Sequence, residues 1–65
     1  MRTLYDDEAD ALYVRFAEGS VADSKEVAPG IVFDYDGEGR IVAVEILDAS
    51  VHLAKGTDFR DMKAA

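Results

Sequence analysis

A chain of 65 residues with no cysteine and a net charge of −7 excludes several classes at once. It can hold neither a disulfide framework nor a thiolate zinc site, and no apolar run approaches the ~18 residues of a membrane span. The acids crowd the first 39 residues, ten against three bases, while residues 40–65 hold four of each. Such a front repels phosphate backbones, which argues against direct nucleic-acid binding and in favour of a basic protein partner.

One domain is expected over residues 1–65, close to the lower size limit at which a single core sustains itself, so a second subunit is the expected source of further burial. Residues 2–5 read as a short extended segment, and the acidic run 6–10 as a solvated connection. Residues 11–16 alternate, with Leu12, Val14 and Phe16 on one face and Ala11, Tyr13 and Arg15 on the other, as in a half-buried strand. Glu18-Gly19-Ser20 is a turn, and residues 21–27 form a weakly patterned strand whose Asp23, Lys25 and Glu26 suit a sheet edge. Pro29-Gly30 closes it.

Residues 31–47 read as a hairpin around Gly37 and Gly39, which can take the positive φ of a tight or bulged reversal. Its second arm sets Val42, Val44 and Ile46 on one face and Ile41, Ala43 and Glu45 on the other, the pattern of a central strand. Asp48 then suits the N-cap of a helix over residues 48–55, with Leu47, Val51 and Ala54 toward the sheet and Gly56 at its end. Residues 57–65 add a turn around Phe59 and Met62 or fray. The expected fold is α+β: an antiparallel meander of four or five strands with one short C-terminal helix packed on one face. One helix cannot cover both faces. The face of Tyr13, Arg15, Val32, Asp34, Ile41, Ala43 and Glu45 is therefore open to a twofold partner, with Tyr13, Arg15, Val32, Ile41, Ala43 and Glu45 as the expected interface.

Catalytic patterns are lacking. Ser20, Ser24 and Ser50 have no nucleophile setting, the glycines form neither a phosphate loop nor a dinucleotide pattern, and His52 falls on the outer side of the expected helix. Asp34, Asp36, Glu38, Gly39 and Glu45 do occupy positions one, three, five, six and twelve of a calcium-binding EF-hand loop. The flanks contradict it, because residues 29–33 cannot form an entering helix and residues 41–44 prefer a strand. No metal site is expected, Asp34, Asp36 and Glu38 at the turn being the candidates for the alternative, and the run 6–10 reads as a solvated turn. Glu45 lies among apolar neighbours, so Arg15 or Tyr13 is its expected donor.

The residues from Tyr5-Asp6-Asp7-Glu8-Ala9-Asp10 through Ala11-Leu12-Tyr13-Val14, with a second block from Val32 to Ser50 that includes Phe33-Asp34-Tyr35-Asp36 and Glu45-Ile46-Leu47-Asp48-Ala49-Ser50, resemble the bacterial and archaeal family called domain of unknown function 2283. The resemblance covers about residues 1–50, leaving 48–65 as helix and tail, and Ala43 stands where the family usually has glycine. It implies small stand-alone proteins without assigned activity, some of which look like antitoxins of toxin/antitoxin pairs. It carries over no catalytic residue and no cofactor. The reading is a non-enzymatic, cytoplasmic protein-interaction module, a homo-oligomer and antitoxin-like partner of a basic protein; the alternative is a small-ligand or divalent-cation binder using the acidic turns.

Overall fold

The computed structural model describes residues 1–62; the end of the expected tail, residues 63–65, lies outside the described residues. Five strands form close to the expected segments: β1 (Arg2–Asp6), β2 (Ala11–Arg15), β3 (Asp23–Ala28, beginning two residues later than expected), β4 (Ile31–Tyr35) and β5 (Ile41–Ile46). They make one antiparallel sheet in the order β1-β2-β5-β4-β3. The expected α+β class holds, but the order is not a plain meander. β3, β4 and β5 run as one, and the β1–β2 hairpin joins it by laying β2 along β5. β5 is apolar on both faces and gains from a neighbour on each side, so it takes the centre.

The price of that order is a crossing. Residues 16–22 carry the chain from β2 past β5 and β4 to the far edge, pinned at its ends by Phe16 N–H donating to the Val42 carbonyl and Ala22 N–H to the Tyr35 carbonyl, both at 2.8 Å. β3 is exposed along its whole length, and its Asp23, Lys25 and Glu26 discourage pairing with a stray strand, as expected of an edge.

Register sorts the side chains. Val14, Val44 and Phe33 lie opposite one another across the three central strands, and Leu12, Ile46 and Ile31 form the next row. This apolar face is continued by Tyr5 on β1, which pairs with Leu12. The other face carries the rows Tyr13, Glu45, Val32 and Arg15, Ala43, Asp34, Ser24. A register shift follows Asp34, so that Tyr35 pairs with Ile41, as at a bulge.

The helix is shorter than expected. α1 spans Ala49–His52, one turn, and its chain continues extended at Leu53. Ala49 is its buried residue, whereas Val51 is 79% exposed and Leu47 42%; Ala54 is exposed as well. With only Ala49 to bury, packing cannot repay the cost of further helical turns, and short helices do not stand alone. Beyond it, Gly56 turns the chain at φ 92, and a 3-10 turn at Phe59–Met62 packs on β1. Phe59 stacks on Tyr5 there with ring centroids 4.2 Å apart.

Leu12, Val42, Ala43, Ala49 and Asp34 are buried, but among the described residues no large side chain is fully so. The molecule measures 35 × 27 × 18 Å with a radius of gyration of 12.0 Å, against roughly 10.7 Å for a compact chain of this length. It is flat because it is essentially one layer, whereas stable domains place a second layer on a sheet. No helix of the described residues is long and apolar enough to cross a membrane.

Candidate functional site

The polar sheet face brings together the residues expected at an interface. Tyr13 and Val32 flank Glu45 on neighbouring strands, and Arg15 and Asp34 flank Ala43; Ile41, 42% exposed, pairs with Tyr35 beyond the register shift. Of the two expected donors for Glu45, Tyr13 lies directly opposite it across β2 and β5, and Arg15 turns elsewhere. Arg15 donates from Nη1 to the Tyr13 hydroxyl at 2.9 Å and from Nη2 to the Gly19 carbonyl, while its buried Nε has no partner. The contact to Gly19 ties the crossing segment to this side of the sheet. Ala43 is wholly buried between its two polar neighbours, and Asp34, 5% exposed, accepts a 2.6 Å bond from the Ser24 hydroxyl.

The acids with calcium-loop spacing do not converge. Asp34 faces Ser24 on the sheet, Glu38 is exposed at the turn, and Glu45 stands up the central strand. Asp36 caps the reversal: its Oδ1 accepts the N–H groups of Glu38 and Arg40, each at 2.9 Å. Those two backbone donors, Arg40 first, hold its carboxyl below the usual carboxylate range. The described residues contain no group of three acids or histidines placed to hold a metal ion.

The turn between β1 and β2 is more than a solvated connection. Asp6 Oδ1 accepts the Glu8 N–H at 3.1 Å, and this local bond bends the chain. Asp10 then adopts the left-handed φ of 51 and reaches across forty residues. Its Oδ2 accepts from the Ser50 hydroxyl at 2.6 Å, its Oδ1 from the Ser50 N–H at 3.1 Å and from the Tyr5 hydroxyl at 2.6 Å, and its carbonyl from the Ala49 N–H at 2.8 Å. Asp48 occupies the expected N-cap position, yet it is left-handed and makes no side-chain cap bond. Asp10 does that work from the other hairpin. The Ser50 and Tyr5 bonds lower the Asp10 carboxyl, and the same carboxylate pushes the Tyr5 phenol up to about 12.

His52 is exposed at the surface as expected, but its Nδ1 lies 2.8 Å from the Leu47 carbonyl, which can only accept. The Leu47 N–H in turn donates to the Gly30 carbonyl at 2.8 Å. α1 is thus held between the two turns at one end of the sheet, by Asp10 on one side and Gly30 on the other.

Residues 2–50 match the model of a family described as protein of unknown function, DUF2283. The chain belongs to the DUF2283 family. No curated protein and no solved structure matches it. The DUF2283 match takes in all five strands and stops at Ser50, where the Asp10 latch closes. The two blocks that carry the resemblance therefore meet in space, and much of their polar content builds the fold. Periodicity offers no sign of this latch, because Asp10 lies in a run of acids that reads as solvent-facing; the presence of Asp10 and Ser50 in the two separate blocks was the available signal.

Proposed function

We propose that this DUF2283 protein is a non-enzymatic protein-interaction module that associates with itself and presents acidic turns to a basic partner, as an antitoxin-like mask would. The single-layer sheet carries this reading. Neither of its faces is closed by a second layer among the described residues, and no large side chain is fully buried, so association supplies the burial the chain lacks. The polar groups support binding over catalysis: Ser50 and Tyr5 are engaged by Asp10, Ser24 by Asp34, and the His52 ring by the Leu47 carbonyl.

Acidity supports the choice of partner. A surface of net charge −7 speeds encounter with a basic protein and disfavours nucleic acid. Sedimentation equilibrium at several protein concentrations tests self-association, with a dimer or larger species expected and a monomer throughout refuting it. Capture from the native host at low and moderate salt tests the second contact; recovery of the protein alone under both conditions counts against a stable basic partner.

A further inference from the structure

We infer that a second copy of this chain stacks on the apolar face around Val14, Phe33 and Val44, converting two single sheets into a two-layer sandwich and leaving the face of Tyr13, Arg15 and Glu45 outward. The inference rests on the self-association reading and assigns it to the face opposite the one expected from the sequence, which held Tyr13, Arg15, Val32, Ile41, Ala43 and Glu45. Charge decides between the faces. Each copy carries −7, so self-contact must avoid setting acid against acid across a dry interface. On the central strands β2, β5 and β4 the apolar face carries no charged residue, since Leu12, Val14, Val42, Val44, Ile31 and Phe33 alternate with the polar side. The opposite face holds Asp34, Glu45 and an Arg15 already turned to Tyr13 and Gly19.

Coverage agrees with charge. On the apolar side the Phe59–Met62 turn sits over β1 through the Tyr5–Phe59 stack, while Val14, Ile31, Phe33, Val44 and Ile46 stay only half-buried. α1, one turn long with Val51 pointing to solvent, does not extend across them. The outline of 35 × 27 Å sets a whole face at roughly 900 Å², the same order as the ~800 Å² that each partner contributes to a standard interface. Two twisted sheets meeting this way align within about 30° at a spacing near 10 Å, with side chains of the inner faces interleaved.

The test uses the unaltered protein. In a sample mixing ¹³C-labelled and unlabelled chains, isotope-filtered NOEs report only contacts between copies. Cross-chain contacts from Val14, Phe33 and Val44 are expected. Contacts from Tyr13, Arg15 and Val32, or contacts confined to the β1 or β3 edge, overturn the choice of face while leaving self-association intact. A monomer by sedimentation overturns both. Paired variants give a second reading: Val44→Glu weakens self-association by about a hundredfold through a buried charge, whereas Val32→Glu, equally half-buried on the other face, leaves it unchanged. The reverse pattern, with both variants folded by circular dichroism, refutes the inference.

Discussion

Gly30 separates two physical effects that a single alanine substitution imposes together. Its φ is 79, and a Cβ built on it meets His52 Cε1 at 2.9 Å and the Leu47 carbonyl oxygen at 3.4 Å. The backbone conformation alone costs an L-residue about 1–2 kcal/mol. The contact is relieved if the His52 ring swings away, which gives up its bond to the Leu47 carbonyl, about 0.5–1.5 kcal/mol. Gly30→Ala therefore destabilises by about 2–3 kcal/mol, and at roughly 4–8 °C per kcal/mol for a small domain it lowers Tm by about 10–20 °C. Two controls come from the same chain. Gly39 has φ 80 with open space around it, and Gly19 has open space and no positive φ, so Gly39→Ala shows the strain alone and Gly19→Ala stays within about 0.5 kcal/mol. Thermal melts at one fixed protein concentration read all three, because association makes Tm concentration-dependent. Equal melting of the Gly30 and Gly39 variants refutes the His52 contribution. If the Gly30 variant melts with the Gly19 variant, the backbone argument itself fails.

The Asp10 latch makes stability depend on pH at both ends. The Asp10 carboxyl is lowered in the fold, so its contribution is present above the ordinary carboxylate pKa and is lost as pH falls through the lowered value. The Tyr5 phenol is raised from 10.0 to about 12, so its contribution is complete below 10 and fades as pH rises toward 12. Phenolate absorbance of the folded protein is expected to place the Tyr5 titration toward 12, and Asp10→Asn to return it toward 10; an unchanged titration refutes the pairing. Ser24→Ala leaves the 5%-exposed Asp34 carboxylate without its hydroxyl donor and costs about 1–3 kcal/mol in urea unfolding. Ala43→Leu forces bulk into a position with no exposure and costs about 1–3 kcal/mol; a neutral result in the same assay shows that the polar face has slack at its centre.

The inner strands were legible because their residues carry a pattern of their own, whereas β1 and the fully exposed β3 show little. Leu12, Val14, Val42, Val44 and Ile46 announce a buried side without reference to the rest of the chain, and the two-sided apolar pattern of β5 points to its central place. The order of strands was less so. Nothing local states that β2 pairs with β5, since that depends on where the crossing at residues 16–22 lands. The helix is shorter than its residue spacing suggests for a related reason: Leu47, Val51 and Ala54 have helical spacing, but spacing stabilises a helix only where a surface receives it, and Val51 meets none. Proximity in the sheet offers Glu45 either Arg15 or Tyr13; Tyr13 does lie opposite it, whereas the Arg15 guanidinium finds Tyr13 and Gly19 first. The Asp10–Ser50 latch joins groups forty residues apart, a contact that only the assembled fold defines.

Salt distinguishes the two associations proposed for this protein, because they respond with opposite sign. Stacking two apolar faces brings together two chains of net charge −7 whose acids lie in the turns, on the β3 edge and on the outer face. These charges repel across the dimer without touching, and raising ionic strength shortens the reach of that repulsion from about 10 Å at 0.1 M to about 3 Å at 1 M. The dimer therefore tightens with salt. Binding of a basic partner to the acidic turns draws on attraction between exposed charges, which the same screening weakens, first in the association rate and then in affinity. Sedimentation of the protein alone at 0.05 and 0.5 M sodium chloride is the deciding measurement. Dissociation at the higher salt means that the copies are held by charge pairs, and the self-contact then belongs on the face of Arg15 and Glu45 instead of the apolar one.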